Sequence, residues 1–125
     1  MMGGRMLPLS NELASALSHE IPIASVTIGK KELCLYLGGM SDKLRTLGLL
    51  NVVLWDGDNA LALSIAELEN CHRQVKFQEK MKKLNSSEVV GLSQGNGKIY
   101  LQHWEGFRTD LDAVSLKVVG QQFTK

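Results

Sequence analysis

Two cysteines and three histidines are the side chains best able to do covalent or metal chemistry in this chain. Cys34 and Cys71 lie far apart and form no Cys-x-x-Cys pair, so they read as free, buried thiols of a reducing compartment. Cys71 and His72 are neighbours on an expected helix, where successive side chains diverge by about 100° and do not easily reach one metal. A site gathered from Cys34, Cys71 and His103 is conceivable, but no ligand spacing demands it, and no metal is expected. His103 and Glu105 share one face of an expected strand. Histidines at 19, 72 and 103 and plentiful serines supply bases and nucleophiles, yet neither a Gly-x-Ser-x-Gly elbow nor a Cys–His signature surrounds them. No catalytic residue is assigned.

Two carboxylate pairs, Asp56/Asp58 and Asp110/Asp112, have the types needed for acid–base or metal work. Both sit in polar stretches where short Asp side chains bond their own backbone, so turn-forming is the expected role. Gly95-Asn96-Gly97 carries the glycines of a phosphate cradle but leads into a strand rather than a helix. It therefore reads as a hairpin turn, and no cofactor is expected.

The elements that would position these groups follow from periodicity. Leu9, Leu13 and Leu17 recur every four residues, and Glu12–Leu17 predicts a short helix that ends before Pro22. Ile23–Ile28 and Glu32–Leu37 form a hairpin around Gly29-Lys30-Lys31. Ser41-Asp42 caps a second short helix that runs through Leu47 and stops at Gly48. Val52–Trp55 and Ala60–Leu63 make a second hairpin around Asp56-Gly57-Asp58-Asn59. Ser64-Ile65-Ala66-Glu67 is a capping box opening a long helix from Ile65 to Leu84. Strands over Glu88–Ser93 and Lys98–Trp104 follow, then a loop from Gly106 to Asp112 and a last strand over Val114–Val119. The expected fold class is α+β: an antiparallel sheet built from hairpins, with one long and two short helices packed on it.

On the long helix, Ile65, Leu68, Cys71, His72 and Val75 share one face, which meets the sheet. Phe77, Met81 and Leu84 fall nearly opposite and are assigned to a partner interface, a homodimer contact first of all. Arg73, Lys76, Lys80 and Lys83 form a band between the two faces. With Glu69 and Glu79 nearby, the band reads as a solvated face, and its alternative use is phosphate contact. Trp104, Phe107 and Arg108 form a candidate aromatic and cationic patch for stacking on bases.

The stretch Trp55-Asp56-Gly57-Asp58-Asn59-Ala60-Leu61-Ala62-Leu63-Ser64 resembles, in pattern, the hairpin of the swapped-hairpin transcription factors of antitoxin type. The likeness runs from Asn51 to about His103. The expected helix here is longer than that family's, and Asp56 and Asp58 stand in the turn where the family carries basic residues, so DNA reading is not carried over.

With 125 residues the chain has the length of one domain, here 8–125 after a flexible leader at 1–7. Fourteen Lys and Arg against thirteen Asp and Glu give a net charge of +1, which indicates neither a generally basic nucleic-acid binder nor an acidic mimic. No apolar run reaches the length of about 20 residues that spans a bilayer, and Ser10, Asn11 and Glu12 break up any signal-peptide pattern. These features predict a cytoplasmic, non-catalytic protein that works by binding a macromolecular partner, a protein or a second copy of itself. A nucleic-acid-binding or regulatory role is the alternative. An enzyme or small-ligand protein with a site assembled from distant residues is a third.

Overall fold

The computed structural model describes residues 6–64, 88–103 and 106–123. Nine strands and two helices lie within these residues. In order they are β1 (Met6–Pro8), α1 (Asn11–Ser18), β2 (Ala24–Ile28), β3 (Lys31–Leu35), α2 (Gly39–Thr46), β4 (Leu49–Asp56), β5 (Asn59–Ser64), β6 (Val89–Gly95), β7 (Lys98–His103), β8 (Phe107–Asp112) and β9 (Val118–Phe123). The strands form two antiparallel sheets, one ordered β1-β5-β4-β3-β2 and the other β6-β7-β8-β9. The fold is thus α+β and mostly strand. The single sheet expected from the hairpins is two sheets.

The physical reason lies in β4. Leu50, Val52 and Leu54 enter one core with Leu33, Leu35 and Leu63 of the same sheet and Val89, Ile99, Leu101 and Leu111 of the other. Leu49 and Val53 enter a second core with Leu13 and Leu17 of α1 and Leu44 of α2. Side chains alternate across a strand, so a strand covered on both faces must be apolar at successive positions. The first sheet is the middle layer, between two helices and the second sheet.

The tight turns set the hairpins. Gly29, Gly57 and Gly97 have φ of 62°, 65° and 74°, and Asn96 has 53°, in the left-handed region that favours Gly and Asn. In α1 the Ser10 side chain accepts from the Leu13 amide at 3.2 Å, as an N-cap should. The N-cap of α2 is Gly38, at φ 72° and with no side-chain bond, rather than Ser41. Ser41 lies inside that helix, fully buried, and donates to Glu88 Oε2 at 2.7 Å.

The C-terminal part departs most from expectation. Phe107–Asp112 is a strand, paired with β7 and β9, and not a loop. Val114–Lys117 belongs to the turn and approach before β9, which runs from Val118 to Phe123. Asp112 causes the shift: its Oδ2 accepts from the Val114 and Ser115 amides at 3.0 and 2.7 Å, closing a turn where an extended chain was expected. Met6 and Leu7, the end of the expected leader, pair with Leu63 and Ala62 of β5. The long helix expected over Ile65–Leu84 lies outside the described residues. No helix among the described residues is long and apolar enough to cross a membrane.

Candidate functional site

A concave surface with chemical character lies on the helix side of the first sheet. Alternation along β3 puts Glu32, Cys34 and the following Tyr36 on one face, and register sets Glu32 opposite Trp55 and Cys34 opposite Val53. The chain leaving α1 passes over this face, and the Gly57-Asp58 turn closes its end. The result is an open groove of about 380 Å³ floored by Cys34, Tyr36 and Trp55 and rimmed by Glu20, Glu32 and Asp58.

Its floor is fixed by hydrogen bonds. Trp55 Nε1 donates to the Tyr36 hydroxyl at 2.9 Å, and that hydroxyl also bonds the Cys34 thiol. Tyr36 is only 4% exposed, whereas Trp55 is half-buried and keeps part of its ring at the surface. Burial pushes the Cys34 thiol up, Glu32's charge adds to this, and the Tyr36 bond opposes both. Burial likewise raises the Tyr36 hydroxyl, with the Trp55 bond acting against it. Both groups stay protonated at neutral pH. A nucleophilic cysteine needs the reverse, a thiol pulled down by neighbouring positive charge.

The rim is acidic. Glu20, Glu32 and Asp58 are exposed, and none makes an ion pair among the described residues. Asp56, one residue before the turn, lies 3.9 Å from Lys31. A half-exposed indole beside carboxylates that have no ion pair among the described residues attracts cations twice over, through the ring and through charge.

The other polar clusters hold the layers together. Asn51 is fully buried on β4. Its Nδ2 donates to the Tyr36 and Val89 carbonyls at 2.9 and 2.8 Å, and its Oδ1 accepts from the Val89 amide at 2.9 Å. The side-chain amide thus pairs with the first residue of β6 as a strand backbone would. Beside it, Arg45 contacts Ser41 at 3.2 Å, Asp42 at 2.6 Å and Glu88 at 3.6 Å.

The sequence-predicted groups fall as follows. Cys34 belongs to the helix-side core, while His103 stands in the second sheet opposite Val89 with Nε2 2.8 Å from Thr109 Oγ1, so the two do not converge. Among the described residues no three metal-ligating side chains gather. Asp58 stands on the rim of the groove, while Asp56 lines a neighbouring depression. Asp110 receives Arg108 through two bonds of 2.7 and 3.2 Å, and Arg108 stacks over Tyr100 at 4.5 Å from the ring centre. The guanidinium proposed for base stacking therefore already has an anion and a ring. His19 is the exposed C-cap of α1. Cys71, His72, the interface residues Phe77, Met81 and Leu84, the band Arg73, Lys76, Lys80 and Lys83, and Trp104 and Glu105 lie outside the described residues, as does the side chain of Phe107. The hairpin that resembles the swapped-hairpin factors lies inside the first sheet, flanked by β1 and β3.

Sequence reasoning missed the groove. Its one local signal was the Glu32, Cys34, Tyr36 alternation, since Trp55 and Glu20 join only through register and through the path of the chain after α1. No protein-family model, characterised protein or solved structure matches the chain, so its function rests on this geometry.

Proposed function

We propose that the protein is a non-catalytic binding module and that its groove receives a cationic side chain of a protein partner. The observation that carries this reading is the Trp55–Tyr36 pair, locked by a 2.9 Å hydrogen bond, beside three carboxylates with no counter-cation among the described residues. The protonated Cys34 thiol supports binding over nucleophilic chemistry. As a free buried thiol it also supports a cytoplasmic setting. Phosphate is the wrong ligand for this surface, because the rim would repel it.

Peptides rich in lysine or arginine are expected to bind at about 50 mM salt and to weaken as salt rises, since the contacts are exposed and screened. Fluorescence anisotropy with labelled peptides measures this. Trp55→Ala removes the ring, and Glu32→Gln removes exposed charge without touching the core. Both should weaken binding. Wild-type affinity in Glu32→Gln and Trp55→Ala together, or a preference for DNA or RNA over the basic peptide, would overturn the reading.

A further inference from the structure

A second depression, of about 270 Å³, lies across the Gly57-Asp58 turn from the groove. Leu9, Ala14 and Leu61 line its apolar part, and Asn11, Asp56 and Asp58 its polar part. Asp58 stands in the walls of both depressions, so they are neighbouring compartments with one carboxylate between them. We infer that the partner segment is extended and carries two basic side chains separated by one residue, one for each compartment. This inference rests on the cation-binding reading above.

The spacing comes from α1, which flanks both compartments. Asn11 and Ala14 border the second, and Leu17 and Ser18 border the first. Their midpoints are five residues apart along the helix. At a rise of 1.5 Å per residue, that is about 7.5 Å. An extended chain advances about 3.3 Å per residue and returns its side chain to the same face every second residue. Positions i and i+2 therefore project in one direction about 6.6 Å apart, close to the required span. Adjacent basic residues point to opposite sides, and residues four apart overshoot at about 13 Å. The apolar part of the second compartment suits the methylene stem of lysine or arginine, while the head reaches the carboxylates. Asp56 shares its charge with Lys31, which makes Asp58 the anion common to both heads.

The test uses the full chain and uncharged Gly/Ser peptides bearing one lysine, or two lysines at spacings of one, two or four. The Lys-x-Lys peptide should bind on the order of tenfold or more tighter than the single-lysine peptide, because the second contact is intramolecular. It should also exceed the other spacings. Asp56→Asn, which alters the second compartment alone, should weaken Lys-x-Lys toward single-lysine affinity and leave the single-lysine peptide unchanged. Equal affinity for Lys-x-Lys and single-lysine peptides, or for spacings of two and four, would overturn the dibasic inference while leaving the groove reading intact. Failure of every lysine peptide to bind would overturn both.

Discussion

Replacing Asn51 with alanine should be among the most damaging single changes in the body of the protein. The amide is fully buried and makes three hydrogen bonds, all to backbone groups of Tyr36 and Val89. Alanine takes away all three partners and fills none of their space. Leaving a buried polar group unpaired costs about 1–3 kcal/mol. With some relaxation, a total of about 3–6 kcal/mol is expected from three such groups. That is a large part of the roughly 5–15 kcal/mol that holds a typical domain together. With a urea slope of about 2 kcal/mol/M, the unfolding midpoint should fall by about 1.5–3 M. Asn59→Ala, at the exposed first position of β5, is the control and should stay within about 0.5 kcal/mol. Asn51→Asp sharpens the test. An ionised carboxylate would face two carbonyl oxygens, so its folded pKa is raised above the unfolded value of about 3.9. Its deficit should therefore be smallest below that pH and grow as pH rises. Asn51→Ala within about 1 kcal/mol of wild type would refute the bridging role, as would an Asp variant whose deficit shrinks with rising pH.

Three further outcomes follow from the same structure. The Asp112 carboxyl is held below its usual range by the Ser115 and Val114 bonds, so its contribution to stability is present above the unfolded carboxylate pKa and is lost as pH falls through its folded value; denaturation of wild type and Asp112→Ala should converge in acid. In a Cys71→Ser background Cys34 should resist alkylation in the native state, and its raised pKa should make stability fall as pH climbs past the ordinary thiol value of about 8.5; rapid native labelling at neutral pH would contradict its burial. Asn96, at φ 53°, should lose about 1 kcal/mol on change to alanine and nothing on change to glycine, read by thermal melts.

The hairpins were legible because their signals are local. Gly29, Gly57 and Asn96-Gly97 each sit where two apolar runs meet, and each takes the positive φ that only such residues accept cheaply. β8 was hidden by its own chemistry. Arg108, Asp110 and Asp112 alternate with Thr109 and Leu111, so a true period of two was masked by three charges on one face. The second sheet was foreshadowed by successive apolar residues at Val52, Val53 and Leu54, a pattern of burial on both faces. Asn51 interrupts that apolar run, and a buried amide must find partners. Its partners, however, lie 15 and 38 residues away, and no local pattern names them. The groove is similarly non-local: Tyr36 and Trp55 are 19 residues apart and meet through the β3–β4 register.

The way the body holds residues 64 and 89 has a consequence for its evolution and its engineering. Ser64 pairs with Leu49, and Val89 is bonded by Asn51, so the chain leaves and re-enters within two residues of one strand. The entropic cost of joining two fixed ends grows only with the logarithm of the intervening length, about 0.6 kcal/mol for each doubling. For a flexible connection between anchors this close, a longer chain would therefore cost little more to close than a shorter one. A change of chain length next to either anchor is therefore expected to be felt first at Leu49 and Asn51, the β4 residues that hold the two ends.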